Sequence, residues 1–283
     1  MNSGVKRKTG YDILVMVIMV ILAILFIFPV YWIVTGSFKD AAAINAANPE
    51  WFPKNPTVDN YIRLFDKPAL RWLFNSVFIA VMAMALTCIT AAMAGYALAK
   101  KRFVGRATLF SLLVCAMALP KQVVLIPLLK EMSFLGLHDN MWAVILPTVG
   151  WPFGIFLMKQ FSETIPTEML EAVRIDGAGE VQTFTTIVLP IVKPGIGALA
   201  IFTFISTWND YFLQLIMLNS SNTLTISLGI AKLQAEMSND FGLIMAGAAL
   251  GAIPIIAIFL MFQKYFTQGI TTVSYTHLRA HET

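Results

Sequence analysis

The stretch IPTEMLEAVRIDGAGEVQTFTTIVLP, residues 165–190, decides how the chain is laid out, because it is polar and stands between long apolar stretches. The wider segment from Lys159 to Lys193 carries five acidic residues: Glu163, Glu168, Glu171, Asp176 and Glu180. Carboxylates are very costly inside lipid, so this segment cannot cross a membrane. It must lie in water between two spans.

A helix, a sharp reversal and a second short helix are the structure that this stretch predicts. Pro166 suits the first position of a helix. The helix should stop near Gly177, because Gly177 and Gly179 permit a sharp reversal of the chain. A second short helix is expected over residues 181–188 and should end at Leu189-Pro190. The apolar face of the first helix is formed by Met169, Ala172 and Val173.

The polar segment is flanked by apolar stretches that are long enough to cross a bilayer. Hydrophobic residues make up 58% of the chain, charged residues only 13%, and the mean hydropathy is +0.73. A span needs about 20 apolar residues in a helix. Six stretches meet this length, at about 13–36, 72–97, 108–129, 141–159, 195–218 and 241–263. We predict an all-α integral membrane protein with six transmembrane helices.

The basic residues near the span ends predict the orientation of the chain. Such residues favour the cytoplasm when they lie in short segments. They occur in the N-terminal segment 1–12 and after the second span, as Lys6, Arg7, Lys8, Lys100, Lys101, Arg102 and Arg106. Both termini are therefore expected in the cytoplasm. The first span, 13–36, is too long for the apolar part of a signal peptide and is interpreted as a retained anchor. An outer loop over 37–70 and a transmembrane domain over 71–263 follow it.

Several classes of function are excluded by what the sequence lacks. The basic residues form no stripe with aromatic platforms, so the formal charge of +4 does not indicate nucleic acid. Cys88 and Cys115 lie in apolar stretches and do not combine with the three histidines at metal-ligand spacing, so no metal site is assigned. No phosphate-binding loop and no catalytic motif occurs. We therefore expect a non-enzyme that does not itself bind ATP.

A spaced motif within the polar segment is similar to a known family signature. The chain reads Glu171-Ala172-Val173, three residues, Gly177, nine residues, then Ile187-Val188-Leu189-Pro190. This resembles the EAA loop of bacterial ABC-importer permeases, with Val173 where a second alanine is usual. Residues 75–266 resemble the type-1 importer transmembrane domain. Its carbohydrate-uptake branch, the maltose type, is indicated by Ile126-Pro127-Leu128, Pro152-Phe153-Gly154 and Arg174-Ile175-Asp176-Gly177-Ala178.

The resemblance implies the six-span permease subunit of an ATP-driven importer in the bacterial inner membrane. The expected partners are a second permease subunit, two cytoplasmic ATPase subunits that use ATP and Mg, and a periplasmic or lipid-anchored solute-binding protein. The loop over about 162–193 would couple the ATPase to the pore, and Glu171 would form a salt bridge to the ATPase. By resemblance, the coupling residues are Glu171, Ala172, Val173, Asp176, Gly177, Ile187, Leu189 and Pro190.

Polar residues inside two apolar spans are candidates for the translocation pathway. The fifth span contains Trp208, Asn209, Asp210 and Tyr211, and an acid inside a span normally faces a cavity or a partner. The alternative is an aromatic belt at the outer interface. In the third span, Pro120 predicts a kink, and Lys121 either lines the pore or reaches toward headgroups.

Two alternatives and one unusual segment remain. The chain could be an importer permease for a non-sugar solute, which would share the EAA loop. A secondary transporter would usually carry inverted repeats, and none is seen. The tail over 264–283 departs from the family from about residue 273. That part looks foreign to it and is expected to be disordered, with no function assigned.

Overall fold

The computed structural model describes residues 10–236 and 240–279, and all regular elements within these ranges are helices. Five of them are long and apolar enough to span a membrane by themselves: Gly10–Ser37, Ala69–Lys100, Trp142–Glu163, Glu180–Trp208 and Phe241–Gln263. A sixth span is possible from the pair Arg106–Met117 and Lys121–Phe134, whose axes meet at 107°. The predicted all-α membrane architecture is confirmed. The helices belong to two compact units.

The first unit contains residues 10–69 together with the described part of 230–251. Helix α1 (Gly10–Ser37) is followed by the short helices α2 (Ala41–Ile44) and α3 (Asp59–Phe65). None of the most apolar window of α1 is buried within the chain. Its C-terminal end is held by Asn60 of α3, whose amide donates to the carbonyl oxygens of Ser37 and Lys39 at 2.9 and 2.8 Å. Arg63 of α3 pairs with Asp240 at 2.5 Å.

The second unit contains residues 70–229 and the described residues from 252 onward. Its helices before the polar segment are α4 (Ala69–Lys100), α5 (Arg106–Met117), α6 (Lys121–Phe134), α7 (Trp142–Val149) and α8 (Pro152–Glu163). Gly95 lets α4 approach α8 closely: a Cβ at this position would lie 2.6 Å from the backbone nitrogen of Lys159. Small residues at such crossings are the usual means by which membrane helices pack.

The polar segment leads into the fifth span, and its structure differs from the prediction. It comprises α9 (Thr167–Ile175), α10 (Glu180–Thr183), a π-helical turn (Phe184–Val188) and α11 (Leu189–Trp208). The predicted end of a helix at Leu189-Pro190 is wrong, because the helical path continues without a break from Glu180 to Trp208. Pro190 stands at the start of α11, directly after the π-helical turn, where the α-helical hydrogen bonding is already interrupted and a missing N–H costs little. The helix that contains this span begins about fifteen residues before the predicted start of the span at residue 195.

The remaining helices are α12 (Tyr211–Met217), α13 (Ile226–Glu236) and α14 (Phe241–Arg279). The predicted fifth span to residue 218 is divided at Asn209-Asp210 into α11 and α12. The predicted last span, 241–263, agrees with the apolar span Phe241–Gln263, and the disorder expected from about residue 273 stays a prediction. Residues 280–283 lie outside the described residues.

Asp139 ties two connections of the second unit together. It has a positive φ of 58°, and its Oδ1 accepts hydrogen bonds from the backbone N–H groups of Asn219 and Ser220 at 2.8 and 3.0 Å. The Thr223 hydroxyl donates to the same oxygen at 2.5 Å. Desolvation opposes ionisation of this carboxyl, but the three hydrogen bonds outweigh it and hold its pKa well below the usual value.

Candidate functional site

The helix that carries the first half of the EAA-like motif ends in a well-formed glycine turn. Pro166 precedes α9 as its N-cap, one residue earlier than predicted, and Asp176 is its C-cap. Gly177 follows with φ +82°, in the left-handed region that favours glycine. The N–H of Gly177 bonds to the carbonyl of Arg174 at 3.0 Å, and the N–H of Ala178 bonds to that of Val173 at 3.2 Å. This pair of bonds defines a Schellman motif, so the predicted stop at Gly177 is confirmed.

Helix α9 is attached to the second unit by one buried side chain and leaves Met169, Ala172 and Ile175 exposed. Leu170 is 5% exposed and joins a core cluster that includes Tyr96, Ile165 and Val188. Met169 is 42% exposed and Ile175 is 87% exposed. These two apolar side chains are available for contact with another molecule. Leu170 was missed by the sequence analysis, although it lies at helical spacing from Val173.

The predicted coupling residues separate into two groups. Those on α9 and its turn face outward: Glu171, Ala172, Asp176 and Gly177 are exposed, and Val173 is half-buried. Those of the second half face the protein, since Ile187 and Leu189 pack against the core cluster. Pro190 is exposed at the start of α11. The motif therefore combines an outward-facing surface with an inward-facing anchor.

Basic residues at the end of α4 hold the polar segment in place. Lys100 Nζ donates to the backbone carbonyls of Ile165 and Glu163 at 2.6 and 3.1 Å. Lys101 forms an ion pair with Glu180, and Arg174 pairs with the same carboxylate at 3.1 Å. The hydrogen bond from Lys101 and the charges of both cations lower the pKa of Glu180 below its usual value.

A second candidate site lies where three helical paths break. The paths are interrupted between α5 and α6, between α7 and α8, and between α11 and α12. The residues that follow these breaks, Lys121, Trp151 and Asp210, line one cavity of about 200 Å³. Polar neighbours in its wall are Gln122 and Thr148, and the rest of the lining is mostly apolar. A mostly apolar cavity with a few convergent polar groups is typical of a ligand site.

An ion pair forms between two residues that line this cavity. Lys121 Nζ lies 3.4 Å from Asp210 Oδ2 and 4.8 Å from the centre of the Trp151 ring. Asp210 Oδ1 also accepts from the N–H of Leu213, so the carboxylate caps α12. Pairing offsets the cost of holding two charges within a membrane domain. The predicted kink at Pro120 is confirmed by the bend of 107° between α5 and α6.

Of the five predicted pathway residues, the structure brings Lys121 and Asp210 together. Trp208 is buried against Phe204, with ring centroids 5.6 Å apart, and does not line the cavity. Asn209 bonds back to the carbonyl of Ile205, and the Tyr211 ring contacts Phe212. Trp151 was missed by the sequence analysis. The run Gly150-Trp151-Pro152 was the available signal, because glycine ends helices and proline starts them.

Within the described residues, no group of three His, Cys, Asp or Glu side chains is placed to hold a metal ion. Lys121 pairs with Asp210 at the cavity, and Glu180 pairs with Lys101 and Arg174 beside α9. The arrangement can dock a partner at α9 and enclose a small polar solute at the helix breaks. It contains the parts of a transport protein.

The fold and these sites define a multi-span, all-helical membrane transport component. Residues 89–272 match the family of binding-protein-dependent transport system inner membrane components, and the chain belongs to this family. It is 32% identical to the arabinooligosaccharides transport system permease protein AraQ of Bacillus subtilis (strain 168), over 92% of this chain and 94% of that protein. It is 33% identical to the maltodextrin transport system permease protein MdxG of the same organism, over 96% and 98%.

A solved structure has the same fold. One chain of a bacterial ABC transporter involved in the import of the acidic polysaccharide alginate superposes with a TM-score of 0.81. The match covers 90% of this chain and 96% of that chain at 24% sequence identity. The type-1 importer transmembrane fold is thereby confirmed.

Proposed function

We propose that this chain is the permease subunit of an ATP-driven importer that carries a sugar or oligosaccharide across the inner membrane. Helix α9 carries the proposal, because it is fixed to the transmembrane helices on one side and offers uncovered apolar and acidic residues on the other. The named substrates of AraQ and MdxG, which are sugar oligomers, support the sugar class. The ATPase subunits, a second permease subunit and a solute-binding protein complete the complex.

The coupling step follows from how α9 is attached. A cytoplasmic ATPase that holds Met169, Ala172 and Ile175 in a cleft would pull on α9 when it closes. Leu170 and the inward half of the motif would pass this movement to α4, α8 and α11, because packed cores transmit displacement rather than absorb it. Glu171 is exposed and free to meet a basic residue of the ATPase.

The cavity at the helix breaks is the proposed passage for the solute. Its volume of about 200 Å³ is below the ≈ 300–1,000 Å³ of pockets for drug-sized ligands, so it suits one sugar ring at a time. Lys121 and Thr148 can donate hydrogen bonds, Asp210 can accept them, and Trp151 offers an aromatic surface. Helix breaks are where free backbone groups are tolerated at membrane depth, because they line a cavity.

The chemistry of ATP belongs to the partner ATPase with its Mg, and no residue of this chain is assigned to it. With both termini in the cytoplasm, α9 lies on the side where ATP is available. The exposed residues of α9 then supply the contact and the transmembrane helices supply the path. A non-sugar solute would use the same coupling surface and would differ in what the cavity and the solute-binding protein accept.

The test is co-purification with the candidate ATPase and second permease, followed by ATP hydrolysis with and without the solute-binding protein. Glu171→Lys reverses the charge offered to the ATPase, and we expect it to dissociate or uncouple the complex. Glu163→Lys is the control with the same charge reversal, because Glu163 pairs with Lys159 inside its own helix rather than facing outward from α9. Transport by this chain without any ATPase would refute the proposal and favour a secondary transporter.

A further inference from the structure

Glu180 joins three elements of the cytoplasmic segment through one carboxylate. It is the first residue of α10 and so begins the path into α11. Its Oε2 pairs with Lys101, which follows the end of α4, and its Oε1 pairs with Arg174 of α9 at 3.1 Å. The two oxygens therefore hold two cations from two other elements. The EAA-like motif does not include any of these three side chains.

Lys101 is itself held in position on several sides. Its Nζ lies 5.1 Å from the centre of the Tyr96 ring, and its carbonyl accepts from Arg106 Nη1 at 3.1 Å. Tyr96 is buried and packs against Phe184, the first residue of the π-helical turn, with ring centroids 5.7 Å apart. Lys101, which pairs with the Glu180 carboxylate, is therefore held by contacts within the second unit.

The two ends of α9 differ in how they are restrained. At the N-terminal end, Lys100 fixes the preceding backbone through two carbonyls, and Leu170 is buried. At the C-terminal end, Ile175 is 87% exposed and the turn at Gly177 lies open. Arg174–Glu180 is the one ion pair that α9 makes within the described residues. It is the side-chain contact that restrains this end.

We infer that Glu180 is a positioning residue that sets the angle of α9 against α4 and α11 by bridging Lys101 and Arg174. This inference rests on the proposed function, because the angle matters only if α9 receives the movement of an ATPase. With Glu180 in place, a displacement of α9 reaches both α4 and α11. Without it, the C-terminal end of α9 can tilt and lose part of that displacement.

The test is Glu180→Gln in the assembled importer, which keeps the size of the side chain and removes its charge. We expect assembly to be unchanged, because Glu180 is exposed and lies outside the core cluster. We expect the ratio of stimulated to basal ATP hydrolysis to fall about 2–5-fold. This is the change in an equilibrium constant that the loss of an exposed ion pair usually causes, about 2–5-fold. Amide exchange in residues 170–178 should become faster.

Two further comparisons separate positioning from a general loss of charge. Glu163→Gln removes an ion pair within one helix and should change neither the ratio nor the exchange. The double variant Arg174→Gln, Glu180→Gln should lower the stimulated-to-basal ratio no further than the double variant Arg174→Gln, Lys101→Gln does. Both variants remove the same bridge. A Glu180→Gln complex with wild-type ratio and exchange, or one that fails to assemble, overturns the inference. Absence of stimulation in the wild type overturns the proposed function instead.

Discussion

Gly177 and Gly179 allow a sharp experiment, because they differ in backbone conformation and in little else. Gly177 has φ +82°, whereas Gly179 has φ −71° and ψ 167°, an extended conformation that any residue adopts. A Cβ added at either position would meet nothing within 4 Å. An alanine at each site therefore tests the backbone alone, two residues apart in the same turn.

The two variants are expected to differ by the cost of the left-handed conformation. Alanine at Gly177 must adopt that region, which costs an L-residue about 1–2 kcal/mol. Alanine at Gly179 keeps an ordinary conformation, and both alanines restrict the open chain alike, so that effect cancels in the comparison. The open state of the turn should therefore be about 5–30-fold more populated in Gly177→Ala than in Gly179→Ala.

Hydrogen exchange measures this difference directly. The amides of Gly177 and Ala178 close the Schellman motif, so their exchange reports opening of the turn. We expect faster exchange in Gly177→Ala and unchanged or slower exchange in Gly179→Ala. Stimulated ATP hydrolysis of the importer should follow the same order. If the amides exchange equally fast in both variants, the left-handed conformation is not the reason why position 177 requires glycine.

Three further predictions concern the cavity, the crossing of α4 and α8, and the hydrogen bonds of Asp139. Asp210→Asn should lower solute uptake without lowering membrane insertion, which transport and fractionation assays of one preparation will compare. Gly95→Ala should lower the unfolding free energy by about 1–3 kcal/mol through overpacking, with Gly10→Ala as a baseline that meets nothing. Because folding lowers the pKa of Asp139, the ionised carboxylate stabilises the folded protein above the usual carboxyl pKa, and this stabilisation is lost as the pH falls. The difference in melting temperature between the wild type and Asp139→Asn should therefore become smaller in acid.

Local signals predicted the parts of the fold that depend on short stretches. Apolar length identified the spans, Gly177 marked the end of α9, and Pro120 marked the kink in the third span. Each of these features is decided by a few neighbouring residues. The prediction failed at Leu189-Pro190, where proline was interpreted as a stop although its place in the first turn of α11 is compatible with a helix.

The cavity could be predicted only in part, because it depends on contacts between distant residues. Lys121 and Asp210 were each selected as polar residues in apolar spans, but they are 89 residues apart and nothing local pairs them. Trp151 was missed because an aromatic residue in an apolar run is ordinary. Trp208 was selected for its neighbours, yet it is buried against Phe204.

Under the proposed function, the two halves of the EAA-like motif meet different physical requirements. The first half would contact a partner, and Glu171 and Ala172 are exposed, with Val173 half-buried beside them. The second half must be buried to pass on movement, so Ile187 packs into the core. Gly177 reverses the chain between them. A residue inserted after Gln182, within the helical path that begins at Glu180, would rotate α9 and its turn by about 100° relative to Ile187 and the core while leaving α9 itself intact. We expect such an insertion to preserve ATPase docking and abolish transport, which would separate contact from coupling in one measurement.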